Sequence, residues 1–189
     1  EYYDVIVRDN DEGLKEALLQ SAEPEARIVE TNTEYPTLKQ AIEACTEADT
    51  EYNIEILKNI SFIETDKILI DENKNIKIDL NGKELNFTGE DTIENSGTLE
   101  IYDSSENNSA IITSAKQFIK NIGNLKLDKI VANMSVSSGS SYTYLIYSEG
   151  NLNITNSQIT LNAKYTGAIH NKGMLDIESS NILGNAGYN

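Results

Sequence analysis

The chain has 189 residues, enough for one sizeable domain or two small ones. Its 15 basic side chains stand against 31 acidic ones, and the net charge of -16 argues against nucleic acid and anionic membrane surfaces as partners. The one cysteine, Cys45, cannot form an internal disulfide, and no apolar run is long enough to insert into a bilayer.

Asp4 to Val7 reads as a short strand. Asn10 or Asp11 then suits the cap of a helix carrying Leu14, Ala17 and Leu18 on one face. Glu25 to Glu30 reads as a strand around Ile28 and Val29. Pro36 fits the first turn of a second helix, with Leu38, Ala41, Ile42 and Cys45 at helical spacing. Cys45 is therefore expected in the core, since no histidine lies near it in sequence to activate the thiol. Residues 1–51 thus form a strand–helix–strand–helix capping region. It is expected to cover strand edges and apolar core that the rest of the chain would otherwise expose.

Residues 52–189 are organised by a repeat. Asn95-Ser96-Gly97-Thr98-Leu99-Glu100-Ile101 returns as Asn121-Ile122-Gly123-Asn124-Leu125-Lys126-Leu127. It returns again as Ser148-Glu149-Gly150-Asn151-Leu152-Asn153-Ile154 and as Asn171-Lys172-Gly173-Met174-Leu175-Asp176-Ile177. The glycines lie 26, 27 and 23 residues apart. A unit this short cannot bury an apolar face alone, so its copies must stack. Leu99 and Ile101 alternate with Thr98 and Glu100, the two-residue period of a strand. An isoleucine also stands four residues before each glycine, at Ile93, Ile119, Ile146 and Ile169. A third apolar patch falls between copies, as at Leu85 with Phe87 and Ile159 with Leu161. Three short strands per period, each parallel to its counterpart in the next, make a β-solenoid.

The register supports this. Leu99, Leu125, Leu152 and Leu175 fall in one inward column, and Ile101, Leu127, Ile154 and Ile177 in the next. Ile76 with Ile78, then Ile54 with Ile56, extend both columns toward the N-terminus, for about six coils. The outward column between them reads Lys77, Glu100, Lys126, Asn153, Asp176, and its first three signs alternate so that neighbours attract. Asn95, Asn121, Ser148 and Asn171 point inward at a turn, where stacked amides form a ladder. The glycine two residues on is expected to supply φ > 0. Segments 103–109 and 137–141 read as outward loops. The last coil is incomplete at Asn189, so the solenoid is expected to continue there or to associate end to end.

These features carry a resemblance. Leu38-Lys39-Gln40-Ala41-Ile42, Ile76-Lys77-Ile78-Asp79-Leu80-Asn81-Gly82-Lys83 and the Asn-x-Gly-x-Leu-x-Ile copies look like the right-handed single-stranded parallel β-helix of the pectin-lyase-like superfamily. More narrowly, they resemble the non-catalytic β-helix modules of large secreted or wall-attached proteins of Gram-positive bacteria. The resemblance implies a mainly all-β chain with an α/β capping region of two short helices, and an adhesin-like role. It is specific for fold and carries no activity with it. Pectate lyases of the superfamily use calcium on clustered aspartates and a basic proton acceptor. Here the only arginines, Arg8 and Arg27, precede the coils.

Glycoside hydrolysis needs two carboxylates about 5 to 9.5 Å apart. The outward column Asp79, Tyr102, Asp128, Thr155, Glu178 puts acids on alternate coils, about 9.6 Å apart at the coil spacing, and a solvated strand face explains them better. His170, the only histidine, is expected outward in a column with Glu94, Lys120 and Tyr147, without partners for a triad or a zinc site. Asp9-Asn10-Asp11-Glu12 is out of register for a calcium loop. The candidate ligand-binding residues are Tyr142, Tyr147, Tyr165 and His170, aromatic groups on a rigid ladder that suit stacking on sugar rings. Tyr144 either joins them or alternates inward and packs.

The reading is a structural or adhesive module without catalysis, metal or cofactor, extracellular or attached to a cell surface. Its expected partner is a neutral carbohydrate or a host surface protein. The rival readings are a polysaccharide lyase or hydrolase of the same fold, and a trimeric phage or filament spike. An acidic pair or a basic residue in a groove beside the two long loops would favour the first, and a large apolar outer face the second.

Overall fold

The computed structural model describes residues 3–9, 15–21, 23–48, 50–63, 67–88, 93–106, 110–114, 117–135, 144–162 and 167–185. β1 (Tyr3–Asp9) and β2 (Lys15–Ser21) pair antiparallel, from Tyr3 opposite Ser21 to Asp9 opposite Lys15. The helix expected over this stretch is thus a strand. Ala17-Leu18-Leu19 is a short apolar run whose period cannot separate helix from strand, and β-branched Val5-Ile6-Val7 lies opposite it. Asn10, Asp11 and Leu14 lie outside the described residues.

β3 (Ala26–Ile28) and β4 (Thr33–Tyr35) form a second antiparallel pair, followed by α1 (Leu38–Ala44). The capping region therefore has one helix among the described residues, not two. Thr37 caps α1, its Oγ1 accepting from the Gln40 N–H at 3.2 Å, so Pro36 precedes the helix rather than opening it. Leu38, Ala41 and Ile42 are buried. Cys45 is buried as expected, its Sγ 3.3 Å from the Ala41 carbonyl, and burial pushes its thiol up to about 11.

The solenoid begins with β5 (Glu51–Ile56), β6 (Ile60–Phe62) and β7 (Ile68–Ile70). The second coil is β8 (Asn75–Asp79), β9 (Glu84–Phe87) and β10 (Ile93–Asn95). The third is β11 (Thr98–Tyr102), β12 (Ile111–Ser114) and β13 (Ile119–Asn121). The fourth is β14 (Asn124–Asp128), β15 (Val131–Ser135) and β16 (Tyr144–Ser148). The fifth is β17 (Asn151–Thr155), β18 (Gln158–Asn162) and β19 (Gly167–Asn171), and β20 (Leu175–Glu178) and β21 (Asn181–Asn185) lie beyond it.

Equivalent strands stack in parallel and build three faces, the first two with six such strands and the third with five. Five strands are four steps apart, so the solenoid makes about four full turns rather than the six coils read from the sequence. Leu99, Leu125, Leu152 and Leu175 stand in one column as expected. β5 departs from expectation, because Ile54 stands beside Ile78 and Tyr52 beside Ile76. This two-residue slip keeps every side chain on its expected side, so hydrophobic alternation cannot detect it.

β3 closes the free edge of β5, pairing antiparallel with Ala26 opposite Ile56 and Ile28 opposite Ile54. Arg27 and Glu55 form an ion pair across that seam. Lys74 Nζ donates to the Ile42 carbonyl at 2.7 Å and ties α1 to the second coil. On the second face, Phe62 stacks on Phe87 with centroids 4.5 Å apart and planes 2° from parallel.

The asparagine ladder is present. Asn95 Nδ2 donates to Asn121 Oδ1 at 2.7 Å, Asn121 Nδ2 donates to Ser148 Oγ at 3.0 Å, and all three residues are buried. The same two amides also donate to the Asn124 and Asn151 carbonyls, each at 3.0 Å, fixing the turn one coil on. Toward the N-terminus the ladder stops because Asn95 stands beside Ile70, and Asn95 Oδ1 has no partner among the described residues.

The glycines of the repeat serve a different purpose from the one expected. Gly82 is the only described glycine with positive φ. A Cβ on Gly123 would lie 2.1 Å from the Gly97 carbonyl oxygen, and one on Gly150 would lie 2.1 Å from that of Gly123. The turns stack too closely for any side chain. Positive φ falls instead on Lys129, Asn156 and Ser179, each one residue past a long strand of the first face.

Candidate functional site

The outward column of the third face runs Glu94, Lys120, Tyr147, His170, in the register expected from the sequence. Its C-terminal half is aromatic. The Tyr147 and His170 rings stack with centroids 5.1 Å apart and planes 5° from parallel. Tyr144 reaches the same imidazole at 4.7 Å, tilted by 39°. Strict alternation would have sent Tyr144 inward with Ile146. Leu145 and Ile146 are both buried, however, so the alternation breaks between them and Tyr144 turns outward. Its ring lies over Gly167, where an added Cβ would meet the ring at 2.9 Å.

Two residues that sequence reasoning missed fix this cluster. Tyr147 Oη donates to Glu149 Oε1 at 2.6 Å. Lys172 Nζ donates to Tyr147 Oη at 2.6 Å and to Glu149 Oε1 at 2.8 Å, and sits 5.2 Å from the Tyr147 ring centroid. The Lys172 and Tyr147 hydrogen bonds hold the Glu149 carboxyl below its ordinary range, and Glu149 raises the Lys172 ammonium. The signal was available. Glu149 and Lys172 both occupy the middle position of the Asn/Ser-x-Gly turn, so stacked turns bring opposite charges together.

His170 Nε2 is buried without a hydrogen-bond partner among the described residues. Beside the cluster, an open pocket of about 370 Å³ is lined by Gln117, Lys120, Tyr147 and Glu149. The structure thus brings Tyr147 and His170 together and adds Tyr144 to them. Tyr142 and Tyr165 lie outside the described residues.

Asp79 and Asp128 of the first face are engaged in hydrogen bonds. Asp79 Oδ1 accepts from the Asn81 and Ser104 N–H groups at 2.9 and 3.0 Å. Asp128 Oδ1 accepts from Thr155 Oγ1 at 2.6 Å and Asn156 Nδ2 at 2.9 Å. Partial burial pushes the Asp128 carboxyl up, but the Thr155 and Asn156 hydrogen bonds, with Lys126 and Lys129 nearby, bring it below the usual carboxylate range. Tyr102 separates the two acids in the column. Asp103 is a buried acceptor for the N–H groups of Gly82, Ser105 and Ala110 and for Ser105 Oγ, at 2.7 to 3.0 Å, and so ties the residues after β11 to Ala110 before β12. Among the described residues, no three His, Cys, Asp or Glu side chains are grouped to hold a metal ion.

The chain matches no protein-family model, no curated protein and no solved structure.

Proposed function

We propose that this chain is an adhesive, non-catalytic β-solenoid module of an extracellular or cell-surface bacterial protein, and that it contacts neutral glycans through the aromatic face around Tyr147. The observation that carries the reading is the Tyr144–His170–Tyr147 cluster, held on an outward ladder by Glu149 and Lys172. A fixed aromatic surface loses little conformational freedom when a sugar ring packs on it. The engagement of Asp79 and Asp128 in turn hydrogen bonds supports a structural use for the acids of the first face. The pectin-lyase-like and Gram-positive surface assignments rest on the resemblance of the repeat copies, and a host surface protein remains the second partner class.

A glycan array tests the binding reading. At least one short neutral glycan, of one or two sugar units, should bind the unaltered protein, and Tyr147→Ala with His170→Ala should abolish that binding while the thermal melt stays nearly unchanged. Binding confined to acidic glycans, or indifferent to both substitutions, would overturn it. The non-catalytic part fails if unsaturated oligouronides appear on incubation with polygalacturonate, with or without calcium.

A further inference from the structure

The first face carries two parallel rows of outward side chains along the solenoid axis. On each strand the rows are two residues apart, about 6.6 Å, and each row repeats at about the 4.8 Å coil spacing. Between them runs a trough of about 570 Å³ whose floor is the strand backbone around the buried Leu99, Leu125 and Leu152.

The two rows differ in chemistry. In one, the lysines are paired off. Lys77 Nζ lies 3.0 Å from Glu51 and 3.7 Å from Glu100, and Lys126 Nζ lies 2.6 Å from Glu100. The other row begins at Glu51 and then reads Asn75, Thr98, Asn124, Asn151, neutral in these four successive coils. Asn151 Nδ2 donates to Asn124 Oδ1 at 2.7 Å, which leaves Asn124 Nδ2 to donate and Asn151 Oδ1 to accept. The Asn75 amide and the Thr98 hydroxyl have no side-chain hydrogen bond among the described residues.

We propose that this trough binds an extended, uncharged glycan chain lying along the solenoid axis. The backbone of the face is spent in the parallel ladders, so recognition falls to amides and hydroxyls, which suit a polymer of hydroxyl groups that both donate and accept. Their spacing is close to the residue repeat of an extended β-linked pyranose chain. The trough lysines are neutralised by Glu51 and Glu100, so no free cation remains there for a polyanion, and the net charge of -16 repels one. At the N-terminal end the Lys77–Glu51 pair crosses from row to row and closes the trough. At the other end it opens beside the exposed Met174. The inference extends the glycan-binding reading but stands on a different surface from the aromatic cluster.

Calorimetric titration with cellohexaose, mannohexaose, cellobiose and hexagalacturonate tests it. At least one neutral hexamer should bind and cellobiose should bind far more weakly, because only a long chain spans several coils. Asn124→Ala with Asn151→Ala should weaken hexamer binding by roughly tenfold, the loss expected for one or two neutral hydrogen bonds, with an unchanged melt. Thr113→Ala, on the second face and away from both surfaces, should leave hexamer binding intact. Failure of both neutral hexamers, equal binding of hexagalacturonate, or binding that survives the double substitution would overturn the proposal. Hexamer binding lost with Tyr147→Ala and kept in the double variant would place the ligand on the aromatic face, upholding the adhesive reading and overturning the trough.

Discussion

The first and last described coils of the solenoid are built from the same columns and differ in what covers them. At the N-terminal end β3 pairs across β5 and α1 packs beneath, so Ala26, Ile28, Leu38, Ile42, Ile54 and Ile56 are all buried. At the other end, Leu175 and Ile177 are 43% and 41% exposed, while Leu152 and Ile154, one coil earlier in the same columns, are at 1% and 0%. An aliphatic side chain in a solenoid is core only when a coil lies on both sides of it. Column membership is written in the repeat, but burial is a property of the neighbours.

The largest contrast should come from placing a charge in that column at the two ends. Leu152→Asp should unfold the domain or disorder its C-terminal coils, since an unpaired carboxylate would enter an apolar column. Leu175→Asp should cost about 1 kcal/mol or less, because the site already meets water. Similar thermal melts for the two would break the comparison.

The ladder offers a smaller contrast. Asn121→Ala removes the partner of Asn95 and the donor to the Asn151 carbonyl, inside a buried stack, and should cost about 1–3 kcal/mol by chemical denaturation. Asn171→Ala, in a half-buried residue whose amide donates to the Gly173 carbonyl of its own turn, should cost less than about 1 kcal/mol.

Acid should reveal Asp103 next. Burial pushes its carboxyl up, but hydrogen bonds from Ser105, Ala110 and Gly82 outweigh this and hold it below its ordinary value. A depressed folded value contributes stability that is complete above the unfolded value of about 3.9 and is lost as pH falls through the folded one. Melts followed downward from pH 5 should therefore fall more steeply for the unaltered protein than for Asp103→Asn, which should already be weaker at neutral pH. Asp128 and Glu149 shift in the same direction, so some slope should persist. Parallel slopes for the two proteins would remove Asp103 from the account.

The smallest effect concerns the exposed Leu175 and Ile177 themselves. We expect weak end-to-end association in concentrated solution, abolished by Leu175→Lys with Ile177→Lys and visible by sedimentation. Unchanged association in that variant would assign the contact to another surface.

Much of the fold was legible because a repeat reports its own register. Leu99, Leu125 and Leu152 align only one way, and the Asn95–Asn121–Ser148 ladder and the Glu94–His170 column follow from that alignment. What was missed lies where the repeat is silent. Lys15–Ser21 precedes it and took its structure from β1. β5 has no Asn-x-Gly turn before it, so its two-residue slip left no trace in the alternation. Tyr144 stays open between the two sides in the sequence because consecutive inward residues, Leu145 and Ile146, interrupt the alternation within β16. The glycines were recognised for the wrong reason. Backbone freedom can be read from one chain segment, whereas the approach of Gly123 to the Gly97 carbonyl exists only between stacked coils.

Amide hydrogen exchange resolved coil by coil, in dilute solution, tests most directly the claim that each coil is stabilised by its neighbours. The Leu152 N–H donates to the Met174 carbonyl at 2.9 Å, so even the fifth coil depends on the one beyond it. The account predicts the strongest protection in β11 and β14, a decline through β17, and the weakest in β20. Protection in β20 equal to that in β14 would contradict it.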